Sequence, residues 1–132
     1  MIDYETTIFN DIHAIAAPLC AKNRFLSTPI LSYTNLPAAS LVEISNTTVR
    51  RRQSSTPVEN YARLMYQLDC YALSKAECKQ VYGAADEMMI ALGFTRISGD
   101  FLDNAGDVDL FRYTARYEAE IDPSGNIYRI SG

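Results

Sequence analysis

Apolar residues at Ile8, Ile12, Ile15, Ala16 and Leu19 recur at helical spacing, so Tyr4 to about Leu19 is predicted to form an amphipathic helix. Asp3, Glu5 and Asp11 put negative charge toward its N-terminal end, where backbone N–H groups lack partners. Pro18 limits how far an ordinary helix runs, although the chain can coil on to Ala21. From Phe25 to Pro37, with prolines at 29 and 37, the pattern is irregular and leaves room for a short edge strand. Ala39 to Ser45 is a compact β-branched run that predicts a strand. Ser45 to Asn60 is polar, basic and Ser/Thr/Asn-rich, and reads as a long exposed loop.

The second half of the pattern is sharper. In Tyr61 to Leu73, Ala62, Leu64, Tyr66, Leu68, Cys70 and Ala72 alternate with Arg63, Gln67 and Asp69, the signature of a strand with one core face. Met65 and Tyr71 fall on the polar face and leave it semi-apolar, which suits a partner covering it. Ser74 to Glu77 is a capping box, with hydroxyl and carboxylate each able to satisfy an orphan N–H. Behind it Cys78, Val81, Tyr82, Ala85, Met88, Met89 and Leu92 form the apolar stripe of a helix that Gly93 ends in the left-handed conformation.

Phe94 to Phe101 predicts a strand and Asp100 to Asp109 an acidic loop. In Leu110 to Ile121, Phe111, Tyr113, Ala115, Tyr117, Ala119 and Ile121 are expected inward, and Arg112, Thr114, Arg116, Glu118 and Glu120 outward. Asp122 to Asn126 is a turn, and Ile127 to Ile130 adds a short terminal strand. The order α-β-β-α-β-β predicts one α+β domain over residues 1–132, an antiparallel sheet with two helices packed on one face.

Composition agrees with a single globular unit. The chain has 132 residues, 48% hydrophobic and 21% charged, enough to bury about two thirds of its unfolded surface. No apolar run approaches the ~20 residues that span a bilayer, so no membrane partner is expected. The opening residues are acidic and amphipathic, unlike a signal peptide. Cys20, Cys70 and Cys78 are an odd number without a C-x-x-C pair, as expected of a protein made in a reducing cytoplasm.

The net charge of −4 is uneven, with five acids and six bases in residues 1–66 and eleven acids and six bases in 67–132. A protein whose main task was coating DNA would be basic overall.

Catalytic chemistry finds little support. His13 is the single histidine and lies beside an apolar helix stripe; Cys70 and Cys78 fall on core faces, where thiols are inert hydrophobes. The glycines at 93, 99, 106 and 125 stand singly at turns or caps and build no phosphate loop. One histidine and three scattered cysteines give no zinc-ligand pairs. Asp100, Asp103, Asn104, Asp107 and Asp109 cluster oxygens, yet they match no calcium loop, and a solvated hairpin connection is the simpler reading. No catalytic residue, cofactor or metal is therefore expected.

Two basic features remain. Arg50, Arg51 and Arg52 on the loop at about 45–60 can grip phosphates or pair with a neighbouring subunit's carboxylates; a solubilising loop tip is the competing reading. Arg112 and Arg116, two steps apart on an outward face, can pair with Asp69 or Glu118 within the chain or line a charged surface between subunits.

Read in order, Leu41–Asn46, the basic loop, Tyr61–Tyr71, Lys75–Glu77, Asp86–Met89, Leu92–Arg96 and Phe111–Ala119 resemble small tail proteins of long-tailed bacteriophages and prophages. The type is the tail terminator or tail-completion (head–tail joining) protein, and the resemblance covers about residues 4–121. It implies an α+β subunit of a six-membered homo-oligomeric ring that caps the finished tail tube, stops its polymerisation and docks to the head connector. Implied partners are further copies of the chain, the tail tube protein and the head connector or completion protein, with DNA in the lumen as a further contact. The protein would be made in the host bacterial cytoplasm and reside at the head-proximal end of the virion tail. Arg50–Arg52 would project toward the lumen or a neighbouring ring, with Glu43 and Asn46 near the loop's base. Two alternatives stay open: a head-side adaptor of the same joint, and a small nucleic-acid-binding module working through Arg50–Arg52.

Overall fold

Helical spacing and strand alternation resolve into two helices and a six-stranded sheet in the computed structural model, which describes residues 3–21, 24–28, 36–48, 61–102 and 111–128. The first helix, α1 (Glu5–Ala16), buries Ile8, Ile12 and Ala16. A 3-10 turn over Ala17–Leu19, with Pro18 in its first positions, succeeds it. The tighter turn rotates Leu19 off the stripe predicted for it, and Leu19 is 41% exposed.

Strand β1 (Phe25–Leu26) lies parallel to β2 (Ala38–Thr48), with Phe25 opposite Ala39. The sheet is therefore mixed, which corrects the expected all-antiparallel arrangement. The connection 27–37 has the length parallel neighbours need, about a dozen residues, whereas a hairpin needs far fewer. Strand β2 also runs to Thr48, beyond the predicted end at Ser45, because a bulge between Glu43 and Ser45 resets its register on β3 (Ala62–Ala72).

After β3 come α2 (Lys75–Leu92), β4 (Thr95–Leu102), β5 (Phe111–Ile121) and β6 (Ile127–Tyr128). The strands are ordered β1-β2-β3-β5-β4, with β6 antiparallel on β5. The observed order is thus α-β-β-β-α-β-β-β, two short strands richer than the simple order expected.

Local chemistry sets the limits of α2. Ser74 Oγ accepts from the Glu77 backbone N–H at 3.2 Å, so one orphan donor is satisfied. Gly93 ends the helix at φ 113°, and its N–H and that of Phe94 return to Ile90 and Met89 carbonyls. An added Cβ there would press on Ile127, which favours glycine twice over.

Both helices feed one core. Ile8, Ile12 and Ala16 of α1 and Cys78, Val81, Ala85 and Met89 of α2 meet Leu64, Tyr66, Leu68, Tyr117 and Ala119 of the sheet. The inward positions predicted for β3 are all buried. On β5 the alternation fails at both ends, since Phe111 is 38% exposed and Glu120, expected outward, is buried. Phe111 opens the strand opposite Ala72, whose single methyl gives an aromatic ring little to pack against.

Candidate interaction surface

Cross-strand register decides which side chains share the face away from the helices. On β3 and β5 these are Arg63, Met65, Gln67, Asp69 and Tyr71, beside Arg112, Thr114, Arg116, Glu118 and Glu120. Ser40, Val42, Ser45 and Thr47 of β2 extend the row on one side, and Thr95, Ser98 and Asp100 of β4 on the other.

One end of this face is covered by the chain itself. Tyr71 is only 5% exposed, packed with Ala38 and flanked by Leu26 and Leu36. Arg112 lies over its ring at 5.4 Å and pairs with Asp69 at 3.3 Å. Tyr71 is therefore withdrawn from the contact residues expected from the sequence. The segment read as irregular supplies the leucines that bury it. Met65, half-buried in mid-face, stays available.

The other polar groups form a cross-strand lattice. Gln67 Nε2 donates to Asp69 at 2.9 Å, Arg116 Nε donates to Gln67 Oε1 at 3.3 Å, and Arg63 stands 3.7 Å from Glu120. Arg112 thus takes the in-chain partner that the sequence offered, whereas Arg116 finds an amide rather than a carboxylate. Arg50, Arg51 and Arg52 lie outside the described residues, as does the acidic stretch 103–109.

Beneath the sheet, sequence reasoning passed over two buried phenol–carboxylate pairs. Tyr117 Oη donates to Asp86 Oδ1 at 2.6 Å, and Arg96 Nη1 donates to the same oxygen at 3.2 Å. Tyr66 Oη donates to Glu43 Oε1 at 3.2 Å. The signal was present: a tyrosine on a core face must find an acceptor for its O–H, and each pair supplies one.

Burial and the nearby Glu5 push the Glu43 carboxyl up from its ordinary value of 4.5 to about 6; Asp3 adds to this and the Tyr66 hydroxyl opposes it. A carboxyl that holds its proton more tightly in the folded chain stabilises the fold below about pH 4.5, and that contribution is lost as pH rises through about 6. Glu43→Gln cannot ionise, so its thermal midpoint is expected to gain on the parent's as pH is raised across this window. A parent-minus-variant difference that stays flat in a pH series of thermal melts contradicts this.

No arrangement for covalent chemistry emerges among the described residues. His13 is exposed, tilted against Phe9 and edge-on to Phe25, with ring centroids 5.6 and 5.7 Å away. It borders a cleft of about 320 Å³ whose other walls are Ala14, Ala17, Pro18, Arg24 and Phe25, none of them a nucleophile. Burial pushes the Cys20 and Cys78 thiols up to about 11 and raises that of Cys70 well above its ordinary value, the reverse of a reactive thiolate. Among these residues no group of three His, Cys, Asp or Glu side chains is placed to hold a metal ion, and no helix is long and apolar enough to cross a membrane. Compared with models of protein families and with curated proteins, the chain matches none.

Proposed function

We propose that this chain is a structural virion protein, the subunit of a ring that caps the completed tail tube of a long-tailed phage or prophage, ends its polymerisation and joins tail to head. The ordered sequence motifs described above motivate the reading. The structural observation that carries it is a sheet with two unlike edges. One edge is β1, two residues in a parallel pair; the other is β4, eight residues in an antiparallel pair. Rings close by head-to-tail contact between two different surfaces of one subunit, and unlike edges supply such a pair. The bulge between Arg96 and Ser98 interrupts β4 and leaves Ile97 47% exposed beside its outer edge. An apolar side chain there suits a lateral contact that buries it.

Native mass spectrometry over a rising concentration series tests this, with and without purified tail tubes. A closed multiple is expected, a hexamer first of all. A subunit that stays single both alone and on tubes overturns the reading.

A further inference from the structure

The open face of the sheet has a pattern of charge that can be read residue by residue. Tyr66 of β3 stands opposite Tyr117 of β5, and this row crosses the middle of the sheet. On β3, Arg63 lies three residues before the row and Asp69 three residues after it. On β5, Arg116 and Glu118 lie one residue to either side. At each of these positions a positive charge on one side of the row is matched by a negative charge at the same distance on the other. A half-turn about an axis along the row, lying above the face, exchanges the two sides. It sets Arg116 over Glu118, Arg63 over Asp69 and Met65 over Gln67. These four charges are complementary to themselves, the requirement for contact between two identical copies, while Glu120 meets Thr114 across the row.

Among the described residues, the central pair is also the one left without an opposite charge. Arg63 already has Glu120, and Asp69 has Arg112. Arg116 is exposed and holds only the Gln67 amide, and Glu118 has no cationic partner among the described residues. Arg116 and Glu118 point from the same face at adjacent positions of that face.

Size is compatible as well. From Arg63 to Gln67 over four strands, short of the buried Ser40–Asp69 row, the open area measures roughly 17 by 19 Å at ordinary strand rise and spacing, on the order of 320 Å² per copy in projection. Two such faces make a contact in the range of weak, reversible complexes.

We propose that two copies of this chain pack open face to open face about a two-fold axis along the Tyr66–Tyr117 row, with Arg116 of each seated on Glu118 of the other. The contact is isologous, whereas the ring contact is head-to-tail, so it couples two subunits, or two rings, back to back. It does not rest on the ring reading.

Three samples followed by sedimentation velocity from micromolar to millimolar concentration test it: the parent chain, Arg116→Glu and Glu118→Arg. The parent is expected to form even-numbered species that dissociate as salt is raised. Each reversal places like charges across the axis and is expected to raise the dissociation constant at least about tenfold. An equimolar mixture of the two variants restores opposite charges at both crossings, and association is expected to return to near the parent level. That recovery also shows both variants folded. A parent that remains single, reversals without effect, or a mixture that stays dissociated overturns the proposal. A ring that survives both reversals unchanged overturns this contact and leaves the ring standing.

Discussion

Leu68→Ala is expected to destabilise the fold by about 2–5 kcal/mol, in the upper half of that range. Leu68 is fully buried at the centre of β3, in a row that reads Leu41, Leu68, Ala115, Gly99 across four strands. Losing the isopropyl group removes its transfer free energy and leaves a void. Two of its three row neighbours carry a methyl or nothing, so they cannot lean in to fill it. Gly99 cannot be enlarged in compensation either, because a Cβ there would collide with the Tyr113 hydroxyl. Tyr113 is itself held by stacking on Tyr82 at 3.7 Å between ring centroids. Equilibrium unfolding in urea measures the loss as a lower midpoint. Leu73→Ala is the control: Leu73 is 61% exposed, and its truncation should stay within about 0.5 kcal/mol. Equal losses for the two variants contradict the packing described.

A second large effect is expected at Asp86, and its asymmetry is the informative part. Asp86 on α2 accepts from the fully buried Tyr117 and from the half-exposed Arg96, tying the helix to β5 and β4. Asp86→Ala removes a charge-assisted hydrogen bond and strands a buried phenol O–H, at a cost of about 2–3 kcal/mol. Tyr117→Phe removes the same bond from the other side but leaves Asp86 with Arg96 and partial access to water, at about 1 kcal/mol. Arg96→Ala should cost less again, since surface ion pairs contribute about 0–1 kcal/mol. Unfolding midpoints in that order support a polar tie between helix and sheet carried mainly by the buried phenol, beside the apolar core. A larger loss at Arg96 than at Asp86 contradicts it.

Much of the fold was legible because the signals are local. Ser74 and Gly93 bound α2 through groups within four residues of themselves, and the alternation of β3 needs no partner to be read. What was missed depends on distant chain. The short edge strand that the pattern of 25–37 left room for is placed at Phe25–Leu26, and made parallel, only by Ala39 and Ser40 arriving beside it. The bulge at Ile44 breaks the period of two, so a strand that continues to Thr48 looks as if it ends at Ser45. The same non-locality governed the interaction surface. Tyr71 read as exposed from its place on a polar face, yet Leu26 and Leu36 cover it from a segment without any periodic signal. Asp69 stood among the alternatives for Arg112 because pairing on one face limits the choices, and only the register selects it. The phenol–carboxylate pairs escaped because Asp86 and Glu43 lie far from their tyrosines in sequence, 31 and 23 residues away.

The central claim, that this chain ends tube growth, is tested most directly by the length of tail tubes. Purified phage tail tube protein is polymerised with and without this chain, and tube lengths are measured by negative-stain electron microscopy. The account predicts that added protein arrests elongation and leaves a ring of density at one tube end. Tubes that grow to the same lengths in its presence, with bare ends, contradict it.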